Sequence, residues 1–347
     1  MMKALVYDGP GDISWRDVPL PELQHPRDAI VRVDATTICG TDLHILRGDV
    51  PEVAAGRVLG HEAVGTVLEL GSAVTWVAEG DRVLVSCICG CGRCRYCRTG
   101  MYGQCVSGGG WVLGHLVDGT QAEYVRVPFA DLALHPVPDV VPDIEALMLS
   151  DIVPTAYEVG VLKGHVSPAD TVVVVGAGPI GLATMMTARL FSPAHVVAVD
   201  RAAGRLDAAK LFGADHAMQV DDDPAALVAK LTHGRGADVV VEAVGMPESF
   251  ELCTRLVRPG GRIANVGVHG KPAVLHLEDL WIKDVTLTTG LVDTSSTPTL
   301  LAMLTSGQIR TRDFVTHHFG LHQMLEAYDV FNDAAATGGL KVALVRE

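Results

Sequence analysis

The run TVVVV at Thr171–Val175, followed at once by GAGPIG at Gly176–Gly181, constrains this chain more than any other feature. Five β-branched residues without polar alternation describe a strand buried on both faces, which a parallel sheet covered by helices provides. The glycines and Pro179 then impose a turn and a helix start. So Thr171 to Ala188, the most apolar long uncharged run, reads as strand, turn and helix rather than as a membrane span. The same grammar recurs in VVAV (Val196–Val199), VVVEA (Val239–Ala243) and IANV (Ile263–Val266). Helical patterns at Ile180–Phe191, Ala202–Phe212, Pro224–Leu231 and Glu248–Val257 alternate with them, and Asp223-Pro224 supplies a cap and a first-turn proline. The alternation predicts an α/β fold with a doubly wound parallel sheet.

The first 135 residues read differently. Short apolar runs at Lys3–Tyr7, Ile30–Thr36, Ala63–Leu70, Arg82–Val85 and Glu123–Val127 are separated by Gly, Pro and Asp, which describes irregular β structure. A proline-rich passage, His135 to Asp143, then precedes an apolar helical stretch from Ile144 to about Val161. Beyond Leu291 come a helical Thr297–Ser306, a stretch through Leu321–Phe331 and a last strand, Lys341–Val345. With 347 residues, two domains are expected at roughly 150 residues each. The formal net charge of −14 argues against nucleic acid or an anionic membrane surface as a partner.

Of eight cysteines, six fall between Cys87 and Cys105. A secreted disulfide framework belongs to small domains short of core, whereas this chain is large and 48% apolar, and its start, MMKALVYDGPGD, is no signal peptide. Clustered thiols here point to metal in a reducing cytoplasm. The spacing Cys91-x2-Cys94-x2-Cys97-x7-Cys105 can wrap one tetrahedral zinc. Cys87 and Cys89 fall outside that pattern and read as bystanders, with Cys89 near enough to compete for the ion.

Gly176, Gly178 and Gly181 have the spacing of a dinucleotide turn. The first permits the tight turn, the second admits a pyrophosphate to the backbone, and the third lets helix and strand pack, with Pro179 and Ile180 opening the helix. Asp200, ending the next strand, should accept hydrogen bonds from the adenosine ribose and favour NAD over NADP. Arg201 and Arg205 each offer a phosphate partner and pull the other way. Val266, closing the IANV run, joins the predicted cofactor-binding set.

Two further pieces are Cys39-Gly-Thr41-Asp-Leu-His44 and Gly60-His61-Glu62-x2-Gly65-x5-Gly71-x2-Val74. Singly, such a Cys and His are most often ordinary core residues. Together with the four-cysteine spacing and the glycine-rich turn, in this order, they resemble the zinc-dependent medium-chain alcohol dehydrogenases over essentially the whole chain. The resemblance implies a GroES-like β-rich catalytic domain (1–152 and 295–347) and a Rossmann NAD-binding domain (153–294), with the active site in the cleft between them. It implies a catalytic zinc on Cys39, His61 and Asp151, the aspartate standing where the liver-type branch has a cysteine and resembling the bacterial secondary-alcohol branch. A structural zinc would sit on Cys91, Cys94, Cys97 and Cys105, giving two per subunit. Glu62 resembles a transient zinc ligand; a carboxylate orienting His61 is the other reading. Thr41 and His44 match a proton relay, Thr155 a nicotinamide contact and Lys341 a cationic contact to the cofactor. Trp111 matches a substrate-pocket aromatic, or else packs in the core. His115, His269, His317 and His318 receive no role.

The implied chemistry is reversible hydride transfer between NAD and a small secondary or primary alcohol, aliphatic or aromatic. The four-cysteine lobe is usually absent from the secondary-alcohol branch, so polyol, threonine and formaldehyde oxidation remain alternatives. A zinc-free quinone reductase or a non-catalytic protein is the alternative of another class. The expected partners are a small-molecule substrate and copies of the same chain, as a tetramer or a dimer.

Overall fold

The Thr171–Val175 run is the centre of a six-stranded sheet whose strands are all parallel. Val172, Val173 and Val174 are fully buried, each contributing about 1.5–3 kcal/mol of hydrophobic stabilisation. A computed structural model describes residues 1–347, the side chain of Ala335 apart. The chain divides into two units, Ile152–Val292 and the combination of Met1–Asp151 with Asp293–Glu347.

In the first of these units the strands Thr171–Val175, His195–Asp200, His216–Gln219, Ala237–Glu242, Val257–Asn265 and Thr286–Thr289 succeed one another in the chain. In space the third, second and first lie side by side, followed by the fourth, fifth and sixth. That order is the doubly wound nucleotide-binding arrangement, with its switch point between Thr171–Val175 and Ala237–Glu242. The helices Pro179–Ala188, Ala203–Leu211, Pro224–Leu231 and Pro247–Leu256 occupy the expected connections. Asp223 caps the third through its side chain, accepting from Ala226 N at 3.1 Å. His216–Gln219 and Thr286–Thr289 carry no apolar run that would announce them.

The other unit is β-rich. Met2–Gly9 and Asp12–Val18 form a hairpin across Pro10-Gly11, joined by the short strand Arg57–Val58. A larger sheet orders Val315–Gly320, Lys341–Val345, Ala29–Thr37, Ala63–Leu70, Arg82–Val85 and Leu134–Pro136, with Tyr124–Val127 also paired to Ala29–Thr37. The last strand of the chain therefore lies against one of the first, with Ala343 opposite Thr37.

One expectation fails. The apolar stretch read as a helix from Ile144 to Val161 is three pieces: Asp143–Leu147, Ile152–Thr155 and a π-helical Ala156–Leu162. The break at Met148–Asp151 has a physical cause. Ser150 is tied to the sheet, its Oγ donating to the Ala63 carbonyl at 3.3 Å and its carbonyl accepting from Cys87 N at 3.1 Å. Among the described residues no helix is long and apolar enough to cross a membrane.

Candidate active site and metal centres

Strand register assembles the main site of the β-rich unit. Thr36 pairs with Ala63 in antiparallel sense, so Cys39, just past one strand, and His61, just before the other, emerge at the same sheet end. Ala63 also pairs with Val85, which brings Cys87 there, and Ala343 with Thr37, which brings Lys341. The Ser150 tether adds Asp151. Residues scattered from 39 to 341 thus converge because their strands share a register.

Ligand atoms of Cys39, His61, Glu62 and Asp151 all lie within 4.8 Å of one another. Asp151 Oδ2 is 3.5 Å from Cys39 Sγ and 3.4 Å from His61 Nε2. Ligands about 2.0–2.3 Å from a tetrahedral zinc stand about 3.3–3.8 Å apart, so this set fits the ion. Burial lowers the proton affinity of His61, but hydrogen bonds with Asp151 and Cys39 outweigh it and raise the pKa well above the ordinary value. Burial and the Asp151 charge push the Cys39 thiol up as well. Such groups exchange protons for a divalent cation.

Glu62 is held by Lys341, whose Nζ lies 2.7 Å from Oε1 and donates to the Ile38 carbonyl at 2.9 Å. Both residues are 1% exposed, and removing either would leave the other's charge buried, at about 3–5 kcal/mol. Oε2 of Glu62 is buried beside the other ligand atoms, without a hydrogen-bond partner among the described residues. Asp42 is the residue sequence reasoning missed. It is buried, with Oδ1 at 3.9 Å from His61 Nδ1 and Oδ2 accepting from Cys39 N at 2.9 Å. Its signal was the position three residues after Cys39 at a helix start, Gly40–Leu46, where an acid reaches back to the capping residue. Cys87 was also missed as a neighbour of this site: its Sγ is 3.7 Å from Asp151 Oδ1.

Thr41 Oγ1 stands 3.6 Å from Cys39 Sγ, whereas His44 pairs through Nδ1 with Asp49 Oδ2 at 2.8 Å. Trp111 meets the His61 ring edge-on, with centroids 6.2 Å apart, and stacks on His115 at 4.3 Å. Gly60 sits in the left-handed region, φ +92°, and a Cβ there would stand 2.6 Å from Gln121 Cγ.

The four-cysteine lobe is local. Ligand atoms of Cys91, Cys94, Cys97 and Cys105 also lie within 4.8 Å of one another, with Cys91 and Cys97 sulfurs 3.9 Å apart. Backbone N–H groups point at the sulfurs: Cys94 N donates to Cys91 Sγ at 3.3 Å and Cys97 N to Cys94 Sγ at 3.5 Å. The Cys97 N–H and a second from Val106 bring the Cys94 thiol down to about 6, a value suited to a thiolate ligand. Burial pushes the Cys89 thiol up to about 12, and its side chain packs in the apolar core.

In the α/β unit Gly176 takes φ +103°, and a Cβ at Gly181 would run into the Gly176 carbonyl oxygen. Gly178 faces open space and caps the helix Pro179–Ala188, so its backbone is approachable by a phosphate. Asp200 accepts from Ala177 N at 2.7 Å and from Ala202 N at 2.8 Å, which braces the loop as well as closing its strand. Arg201 is exposed and Arg205 half-buried beside it. Val266 follows Val257–Asn265, its N–H donating to the Glu242 carbonyl at 2.8 Å, and Thr155 ends Ile152–Thr155.

Residues 25–139 match the alcohol dehydrogenase GroES-like domain, and residues 179–306 match the zinc-binding dehydrogenase domain. An alcohol dehydrogenase of Cupriavidus necator is 38% identical, over 99% of this chain and 98% of that protein. The structure of zinc-dependent alcohol dehydrogenase 2 from Streptococcus pneumonia, in its apo form, is 46% identical and superposes with a TM-score of 0.95, covering 100% of this chain and 99% of that one. Alcohol dehydrogenase TADH from Thermus sp. ATN1 is 36% identical with a TM-score of 0.92, covering both chains in full. Similarity running from end to end at this level places the chain in the zinc-dependent medium-chain alcohol dehydrogenase family.

Proposed function

We propose that this chain interconverts a small secondary or primary alcohol, aliphatic or aromatic, with its ketone or aldehyde, using NAD. The observation that carries this reading is the set of Cys39, His61 and Asp151 at one sheet end, with Glu62 beside it and held through Oε1 by Lys341. When bound there, zinc supplies the Lewis acidity that acidifies a hydroxyl or polarises a carbonyl, and NAD accepts or returns the hydride. Three protein ligands leave a coordination position for substrate, which the closed four-cysteine set does not.

The chain's own residues do the rest. Thr41 Oγ1, beside Cys39, takes the hydroxyl proton, and His44, steadied by Asp49, carries it toward solvent. Asp42 fixes the His61 ring from behind. Glu62 would serve as the transient ligand through Oε2, with Lys341 holding Oε1; Lys341, 1% exposed, would act on the cofactor only through its field and not by contact. Trp111 forms an apolar wall beside His61. Gly176, Gly178, Pro179, Ile180 and Gly181 receive the pyrophosphate, Asp200 the adenosine ribose, and Thr155 and Val266 the nicotinamide. Cys91, Cys94, Cys97 and Cys105 hold a second, structural zinc. A homo-oligomer in the cytoplasm, tetramer or dimer, fits the exposed Trp281 and Ile282, 75% and 69% exposed, near the edge strand Thr286–Thr289.

The test is zinc per subunit by elemental analysis, paired with NAD reduction on ethanol, 2-propanol, a benzylic alcohol, sorbitol, threonine and formaldehyde. Two zincs with turnover strongest on 2-propanol or the benzylic alcohol is the expected result. Preference for sorbitol, threonine or formaldehyde would keep the mechanism and overturn the apolar pocket. One zinc without alcohol-dependent reduction would sink the catalytic site, and kcat/KM with NADP equal to that with NAD would overturn the role of Asp200.

A further inference from the structure

We infer that Gln121 and Tyr328 are positioning residues for the catalytic metal, forming a buried relay that aims Asp42 at His61 from the helix Met324–Asn332. This rests on the metal reading above. Tyr328 Oη donates to Gln121 Oε1 at 2.8 Å. Gln121 Nε2 donates to Asp42 Oδ2 at 3.0 Å and to the Thr37 carbonyl at 3.2 Å. The same Asp42 oxygen accepts from Cys39 N at 2.9 Å. Oδ2 is thereby engaged twice, and Oδ1, with no hydrogen-bond partner among the described residues, faces His61 Nδ1 at 3.9 Å. The opposite ring nitrogen, Nε2, faces Asp151 Oδ2 at 3.4 Å.

The relay has a direction. The Asp42 carboxylate and the Thr37 carbonyl only accept, so the Gln121 amide must turn Nε2 toward them, and the Tyr328 hydroxyl then donates to the Oε1 that is left. Asp42, pinned through Oδ2, presents Oδ1 to His61 and favours the tautomer carrying its proton on Nδ1. The lone pair then lies on Nε2, on the side of the metal ligands. All four groups are out of water: exposure is 0% at Gln121, 1% at Asp42, and 4% at both Tyr328 and His61. Water therefore does not compete for these polar atoms, and Asp42 Oδ1 is left facing His61 alone.

Gly60 supports the assignment independently. Its would-be Cβ stands 2.6 Å from Gln121 Cγ and 2.8 Å from Gln121 N. The residue before His61 is glycine because Gln121 occupies the space where any side chain would go. Residues 60, 61 and 121 are thus one packing unit, clamped from the C-terminal part of the chain by Tyr328.

The measurement is the rate at which the catalytic ion leaves the full-length protein in excess chelator. Cobalt(II), placed in that site, separates it by its visible absorption from the four-cysteine site. Tyr328→Phe and Gln121→Met should each lose cobalt about tenfold faster and shift its absorption, the low end of the 10- to 100-fold typical of outer partners of a metal site. Phe331→Ala is the control. It lies on the same helix and in the same apolar cluster but has no polar atom to give the relay, so it should lower Tm without changing either readout. Cobalt loss at the wild-type rate in Tyr328→Phe, or loss that merely follows Tm as in Phe331→Ala, would overturn the relay alone. A wild-type chain that takes up no metal beyond the four-cysteine site would overturn the functional reading, and the relay with it.

Discussion

The two candidate metal centres of the β-rich unit are built on opposite plans. Cys91, Cys94, Cys97 and Cys105 come from one loop, with sulfurs set by that loop's own N–H groups. Cys39, His61 and Asp151 come from distant segments, placed by the pairing of Thr36 with Ala63 and by the Ser150 tether. A loop-borne centre organises the chain around itself, so its ion contributes folding energy directly. A centre assembled by a sheet inherits its geometry from the fold and keeps a position for substrate. On the proposed reading the same ion would serve structure in one place and chemistry in the other.

Paired serine substitutions should pull the two plans apart most strongly. Cys39→Ser should lower kcat/KM by more than about a thousandfold, beyond the 10- to 100-fold expected for an outer partner, while NAD binding by fluorescence titration stays unchanged. Cys94→Ser should lower Tm by about 10 °C and remove one zinc per subunit, since a structural ion contributes to folding. If Cys94→Ser left Tm and zinc content intact, or Cys39→Ser cost more Tm than turnover, the division of roles would be wrong.

Acid offers a smaller test, because protons compete at both centres. His135, on Leu134–Pro136 and opposite Leu84, adds a contribution from the fold itself. Burial brings its imidazole down to about 4, from 6.5 for a free histidine. The unfolded chain therefore binds the extra proton between these values, and stability falls as pH drops from about 6.5 to about 4, by at most about 3 kcal/mol. His135→Leu should flatten the fall of Tm over that window. An unchanged acid limb would assign the sensitivity to the ligand thiols and imidazole instead.

The difference in plan also explains what could be read from the sequence. The four-cysteine lobe shows in its spacing because its geometry is local. The glycine turn is legible for the same reason: Gly176 needs its positive φ, and Gly181 a bare Cα against the Gly176 carbonyl. The fully apolar strands announced the parallel sheet. The edge strands His216–Gln219 and Thr286–Thr289 did not, since half-exposed short strands carry no continuous apolar run. In the catalytic set, Cys39, His61 and Asp151 were named through resemblance, because spacing alone says nothing about three residues joined by strand register. Asp42 was overlooked despite its place at a helix start, and Gln121 and Tyr328 stayed invisible, since the three meet only through segments 79 and 207 residues apart. The helix expected from Ile144 to Val161 breaks where Ser150 is tied down, a tertiary demand that local apolarity does not record.

Each centre also has a cysteine beside it that lies outside its ligand set, and these two make the smallest test. Cys87 touches Asp151: its Sγ is 3.7 Å from Oδ1, while Oδ2 faces Cys39 and His61. Burial and the Asp151 charge raise the thiol well above its ordinary value, so it stays an S–H group beside Asp151 Oδ1 and would leave Oδ2 as the oxygen offered to an ion. Cys89, near the lobe, packs instead among Val85, Leu113 and Ala133 in the apolar core. A thiol is a weak donor, so Cys87→Ala should weaken zinc retention at the catalytic centre only about threefold, and Cys87→Ser should restore it. Cys89→Ala should leave zinc retention at the lobe unchanged and cost about 1 kcal/mol of stability through the lost packing. If both alanine variants changed stability alone, Cys87 would be a packing residue like Cys89. If both released zinc, the lobe would depend on its surroundings as the sheet-built centre does, and the contrast between the two plans would fail.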